Sequence, residues 1–210
     1  MHDDHHDNPH APTAHDHEVT DFERRVDAVQ ALLIEKGVIT ADEVRRAVEN
    51  MDYSSPALGA KVIAKAWVDP AFKARLLSDA KSAILELGID VGERATIVAV
   101  ENTNTVHHVV VCTLCSCYPR GLLGYPPDWY KSLNYRSRVV VDPRSVLKEF
   151  GLELPPNVEV RVLDSTADMR YLVIPARPAA TEGLSLEELA SLVTRDSMIG
   201  VAQALSPARF

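Results

Sequence analysis

The stretch from Thr96 to Cys117, TIVAVENTNTVHHVVVCTLCSC, is where the chain changes character. TIVAV (96–100) and HVVVC (108–112) are β-branched runs typical of buried strands, and two further cysteines follow within five residues. Upstream the periodicity is helical. Val26, Val29, Leu32 and Leu33 recur at helical spacing from near Thr20, and Gly37 follows as a stop signal. Thr40 and Glu43 have the spacing of a capping box, which starts a second amphipathic helix running to about Met51. Two more helices are predicted over roughly 58–67 and 70–87. Their apolar positions include Val62, Ile63, Ala66, Phe72, Leu76 and Ile84, and Gly88 is the expected C-terminal cap.

Downstream, PRGLLGYPPD (119–128) is dense in Pro and Gly and reads as loop. PRSVLKEF (143–150) predicts a short helix with Pro143 in its first turn. VEVRVLD (158–164) and RYLVIPA (170–176) read as strands paired with each other. LSLEELASLV (184–193) predicts a last helix, capped by Ser185 with Glu188 three residues on. Helices come first and most strands lie after residue 95, so the expected class is α+β. Three regions follow: a His/Asp-rich tail over 1–18, a helical N-terminal region over 19–90, and an α+β catalytic domain over 91–210.

Charge is uneven. The 210 residues carry 22 basic and 30 acidic groups, for a net charge of −8. Residues 1–21 hold six acids (Asp3, Asp4, Asp7, Asp16, Glu18, Asp21) and no Lys or Arg, which leaves 22 basic against 24 acidic groups in the rest, a net −2. A nearly neutral body gives no support to a nucleic-acid surface. No apolar run approaches ~18 residues, so no membrane span is expected. The N-terminus lacks a basic region followed by an apolar one, so no secretory signal is read and a cytoplasmic location is expected. Six of the eight histidines lie within residues 1–18. A solvating tail is the preferred reading of that segment, over a metal-gathering one.

Cys112, Cys115 and Cys117 are the only cysteines, and they fit in one six-residue window. An odd number at such short spacing argues against a disulfide framework and for metal or redox chemistry. On a loop, the three thiolates can converge on one ion. A Cys-x-Cys unit also brings its two peptide nitrogens into the same chelate. Three sulfurs and two amide nitrogens leave one open position, which suits an octahedral trivalent ion and a Lewis-acid catalyst. A zinc site completed by His107 or His108 is the alternative, one of those histidines facing the core and the other away. The residues alone leave both open.

The motif V-C-T-L-C-S-C (111–117) resembles the metal signature of nitrile hydratase α subunits. Nearly all of the chain after the tail is similar to that family, through LGAKVIAKAWVDPAFKARLL (58–77), VENTNTVHHVVVCTLCSCYP (100–119), YRSRVVVDPR (135–144) and TRDSMIGVA (194–202). The resemblance implies a layered α/β/β/α domain of the nitrile hydratase α-chain type, behind a helical N-terminal half. It implies one noncorrinoid Co(III) per chain, because threonine at position 113 goes with cobalt and serine with iron. The implied ligands are the sulfurs of Cys112, Cys115 and Cys117 and the amides of Ser116 and Cys117. Cys115 would be a sulfinic acid and Cys117 a sulfenic acid, and both would be catalytic. Their arginine partners would come from a β subunit, of one chain or two. The activity implied is hydration of a small-molecule nitrile, of a size the sequence leaves open, to its amide at the α/β interface, with a cobalt-loading activator as a further partner.

Arg120 departs from this pattern. Many cobalt-type members have tryptophan at this position as a pocket wall, whereas Cys117-Tyr118-Pro119-Arg120 resembles the γ subunit of thiocyanate hydrolase. Arg120 is therefore a candidate substrate-pocket residue, and thiocyanate hydrolase is the alternative activity. A non-catalytic metal-binding module is the alternative from another class. Asp164 and Arg170 bracket a predicted turn. They read as a surface ion pair worth about 0–1 kcal/mol, in preference to a pair that orients the metal loop. Trp67 and Trp129 read as packing residues.

Overall fold

A computed structural model describes residues 20–92 and 95–207. The expected tail, residues 1–18, lies outside the described residues. The chain divides into two compact units with the boundary between Ala47 and Val48. In the first, α1 (Asp21–Glu35) begins at Thr20, whose hydroxyl accepts from Glu23 N while the Glu23 carboxylate takes Thr20 N. Its apolar residues Phe22, Val26, Val29 and Leu32 remain exposed. Next comes α2 (Ala41–Tyr53), started by the expected box, with Glu43 N donating to Thr40 Oγ1 and Thr40 N to the Glu43 carboxylate.

The second unit takes in α2 from Val48 onward and then α3 (Pro56–Val68), which buries Leu58, Val62, Ile63 and Ala66. The helix predicted over 70–87 is broken into α4 (Pro70–Ser78) and α5 (Ala80–Leu85). The break falls at Asp79, whose carboxylate accepts from Ser82 N and starts a new helix there. A residue that competes for backbone donors favours a cap over a helix interior. After β1 (Thr96–Glu101) and β2 (Val106–Val111) come α6 (Arg120–Leu123), α7 (Asp128–Lys131), α8 (Leu133–Arg138) and α9 (Pro143–Glu149). Then β3 (Glu159–Asp164), β4 (Met169–Ile174), α10 (Leu186–Ser191) and α11 (Arg195–Ile199) complete the unit.

Strand pairing differs from the sequence expectation. β3 does not pair with β4. It runs parallel to β2 with Val111 opposite Asp164, while β4 runs parallel to β1 with Thr96 opposite Met169. Each short connection, 102–105 and 165–168, therefore steps from one two-stranded sheet to the other. Strand periodicity identifies strands but not partners. Here β2, beside its parallel neighbour, is buried without interruption over 107–111. The sheets meet through β2 and β4, with α4 and α5 covering β1 and α9 covering β3. This is the expected α/β/β/α layering.

Both histidines of β2 are buried, against the expectation that one faces away, because both faces of that strand are covered. His107 Nε2 donates to the Gly200 carbonyl at 2.7 Å, and its Nδ1 lies 3.2 Å from the Asn102 amide nitrogen. With an acceptor on one side and a donor on the other, the ring is held neutral, and burial keeps its pKa below the usual value. Among the described residues no helix is long and apolar enough to cross a membrane.

Candidate metal centre

The paired ends of β2 and β3 build the site. Past Val111 the chain leaves the sheet, and the carboxylate opposite takes over from the ladder. Asp164 accepts from Thr113 N at 2.9 Å and from Thr113 Oγ1 at 2.6 Å. Ser165 N donates to Val111 O at 2.7 Å. Asp164 thus ties the first turn of the cysteine loop to β3, and the surface ion-pair reading of this residue gives way to one of loop support. The sequence underrated it because Thr113 is 51 positions away.

Within the loop, Cys112 is buried, Cys117 half-buried and Cys115 exposed. Cys115 N donates to Cys112 Sγ at 3.2 Å. The Cys112–Cys115 and Cys115–Cys117 sulfurs stand 3.4 Å and 3.1 Å apart, and all three lie within 4.8 Å of one another. Two sulfurs at right angles on one ion, each at about 2.3 Å, would be about 3.3 Å apart, whereas the tetrahedral angle separates them by about 3.8 Å. The spacing is that of adjacent octahedral positions. Neither His107 nor His108 joins the cluster. Hydrogen bonds with Cys117 and then Cys112 pull the Cys115 thiol down to about 7. Burial, then the bond to Cys115, pushes Cys117 up to about 11, against the charge of Arg170. Cys115 therefore loses its proton before Cys117.

Three side chains from the following segment grip the loop. Tyr130 Oη donates to Cys117 O at 2.9 Å, Tyr135 Oη to Val110 O at 2.7 Å, and Arg136 Nη1 to Cys115 O at 3.1 Å. The tyrosines sit in an aromatic cluster, with Trp129 packed 4.9 Å from Tyr135 and 4.7 Å from Phe150 between ring centroids. Trp129 is a packing residue, as read. So is Trp67, whose indole N–H donates to Pro175 O at 2.8 Å. Sequence reasoning missed Tyr130, Tyr135 and Arg136, although two of them lie in the quoted YRSRVVVDPR segment. Their bonds span 13 to 25 positions and leave no local spacing signal.

Residues 20–202 match the profile of the family described as "Nitrile hydratase, alpha chain". The chain belongs to this family. The high-molecular weight cobalt-containing nitrile hydratase subunit alpha of Rhodococcus rhodochrous is 55% identical over 196 residues, covering 92% of this chain and 96% of the relative. The cobalt-containing nitrile hydratase subunit alpha of Pseudonocardia thermophila is 55% identical over 86% of this chain and 89% of its own. Thiocyanate hydrolase subunit gamma of Thiobacillus thioparus is 43% identical over 88% of this chain and 81% of its own. Among solved structures, a recombinant thiocyanate hydrolase with partially modified cobalt centres matches at a TM-score of 0.82 and 41% identity, covering 92% of this chain and 96% of that one.

As a nitrile hydratase α-chain, the protein has a donor set that fits a resident cobalt ion: three clustered sulfurs on a loop, two neighbouring pairs of them at the spacing of adjacent octahedral positions, with Thr113 fastened behind them. Arg120 begins α6, two residues beyond Tyr118, and is exposed with its guanidinium 5.5 Å from the Tyr125 ring centroid. A groove of about 1090 Å³ lies between α3, α10 and the start of α11 and includes none of the cysteines. Its size does not make it the reaction site, because the cysteines that could hold a metal ion lie elsewhere. The cysteine loop stands on open surface, with Leu114 88% exposed.

Proposed function

We propose that this chain is the metal-carrying α subunit of a cobalt nitrile hydratase, which adds water to a nitrile to form the amide at an interface with a β subunit. The observation that carries the reading is the cluster of three sulfurs, with Cys115 at right-angle spacing from both Cys112 and Cys117, on a loop tied to Asp164. The sulfurs of Cys112, Cys115 and Cys117 and the amide nitrogens of Ser116 and Cys117 would hold one noncorrinoid Co(III). When bound, this ion supplies a Lewis acid with one open position, at which nitrile or water can be polarised. The oxygen of water joins the nitrile carbon, and the resulting imidate moves a proton from oxygen to nitrogen to become the amide.

The chain's own part is to hold the sulfurs in place and present them to the partner. Cys115, which ionises before Cys117, is the proposed sulfinic acid of the mature centre, and Cys117 the proposed sulfenic acid. The oxygens so added require charge-assisted hydrogen bonds, which arginines of the β subunit supply. Exposure of Leu114 and Cys115 suits a loop that a partner covers. A cobalt-loading activator and a cytoplasmic setting complete the proposal.

Metal analysis of the co-expressed α and β chains tests it. One cobalt per α chain, retained against chelators, is the expected result. Peptide masses should show two added oxygens on Cys115 and one on Cys117. Exchangeable zinc beside three unmodified thiols in active protein would sink the assignment.

Thiocyanate hydrolase is the second reading, favoured by Arg120 and by the matched γ subunit. Pro119 restrains the backbone just past Cys117, so residue 120 is placed near the metal loop. An arginine there can bind an anion or a polar substrate arm, which tryptophan cannot. Loss of a charge-assisted hydrogen bond of about 1.5–3 kcal/mol corresponds to at least about tenfold. Arg120→Trp is expected to cut turnover of thiocyanate or of a large polar nitrile by that factor while sparing a small aliphatic nitrile. An unchanged profile over the three substrates would remove Arg120 from the pocket.

A further inference from the structure

Arg136 stands in an unusual place relative to the peptide that would bind the metal. Its Nη1 donates to the carbonyl oxygen of Cys115 at 3.1 Å. That oxygen belongs to the same peptide unit as the nitrogen of Ser116, the planar group in which charge is shared between oxygen and nitrogen. A peptide that ligates through an anionic nitrogen therefore carries much of its charge on the Cys115 oxygen. A guanidinium sets a permanently charged donor against such an oxygen.

The fold holds Arg136 there by its neighbours. Ser132 caps α8 by accepting from Tyr135 N at 3.1 Å. Tyr135 is buried and anchors the helix to Val110 O, the carbonyl two residues before Cys112. Arg138, one half-turn on, is paired to Glu149 on α9 and clamps the far side of α8. Arg136 itself has no carboxylate partner among the described residues, and its Nε is buried without an acceptor.

We propose that Arg136 is a positioning residue for the metal centre: its guanidinium neutralises the anionic 115–116 peptide and so strengthens the Ser116 nitrogen as a ligand. This rests on the reading of the cysteine loop as a cobalt site. It assigns to the α chain a charge-balancing role distinct from that of the partner's arginines, which would act on the oxidised sulfurs.

The test compares cobalt-loaded wild-type complex with Arg136→Gln and Arg136→Lys. The readouts are the rate of cobalt loss to excess EDTA and the visible absorption band of the bound ion, beside near-UV circular dichroism as a check of fold. Supports of metal ligands typically contribute 10–100-fold to metal affinity. Arg136→Gln is expected to lose cobalt at least about tenfold faster and to shift the band to longer wavelength, as a weakened nitrogen donor would. Arg136→Lys, which keeps a cation but not the planar fork, should stay within about threefold of wild type with a partial band shift. A correctly folded Arg136→Gln with wild-type retention and band would overturn the proposal. If the glutamine chain does not fold, the lysine chain decides, and a band identical to wild type then overturns it. A wild-type complex without tightly held cobalt would instead defeat the underlying metal reading.

Discussion

Cys112→Ala is expected to remove both cobalt and nitrile turnover while leaving a folded chain. Cys112 is 1% exposed and lies where β2 gives way to the loop. Its sulfur does two things: it stands 3.4 Å from Cys115 Sγ as a prospective ligand, and it accepts the Cys115 N–H at 3.2 Å. Alanine deletes a metal donor and leaves the Cys115 backbone donor without its partner. Residues that only orient ligands are worth about 10–100-fold, so loss of a ligand should exceed about a hundredfold in both metal content and turnover. The fold should survive, because a single sulfur is a small part of a core that also includes Val109, Val111, Leu122 and Tyr130. Elemental analysis and amide formation by the α/β complex measure the two effects. A Cys112→Ala chain with one cobalt and full turnover would show that the cluster is not the centre.

Gly200→Ala should produce the largest loss of stability from a single methyl group. Gly200 closes α11 in the left-handed region at φ 92°, and its carbonyl accepts from His107 Nε2. A Cβ on Gly200 would fall 2.0 Å from His108 O and 3.0 Å from Val109 Cα. These are backbone atoms of β2, the strand that delivers the metal loop, and they cannot rotate away. Overpacking of about 1–3 kcal/mol adds to about 1–2 kcal/mol for an L-residue in the left-handed region, together about 4 kcal/mol. Against a total stability of about 5–15 kcal/mol, that corresponds to a melting temperature lower by about 8–16 °C. Gly88→Ala is the control. Gly88 has φ 72° but nothing within 4 Å of a Cβ, so only the backbone cost of about 1–2 kcal/mol applies. Equal midpoints for the two variants would mean that β2 yields to the added methyl.

The consequence for the site is that β2 is fixed from two sides. Gly200 and Asn102 hold its histidines, and Tyr135 holds its C-terminal end at Val110. A loop whose three sulfurs must meet within 4.8 Å needs such a rigid origin, since a small displacement of one donor weakens all.

Local chemistry made much of this legible in the sequence. Thr40 with Glu43 and Ser185 with Glu188 form their capping boxes because both partners lie within one helical turn. The three cysteines announce a metal loop because their convergence needs only six residues of chain. Position 113 sorts with cobalt by resemblance alone. What spacing cannot carry was settled by the tertiary structure. β3 and β4 alternate or run apolar whichever strand they face, so the pattern does not name their partners; the layering sets β3 parallel to β2, which is buried along 107–111, and β4 parallel to β1. The same holds for Asp164, Tyr130, Tyr135 and Arg136. Their hydrogen bonds to the cysteine loop cross 13 to 51 positions, and only the stacking of layers brings those donors and acceptors together.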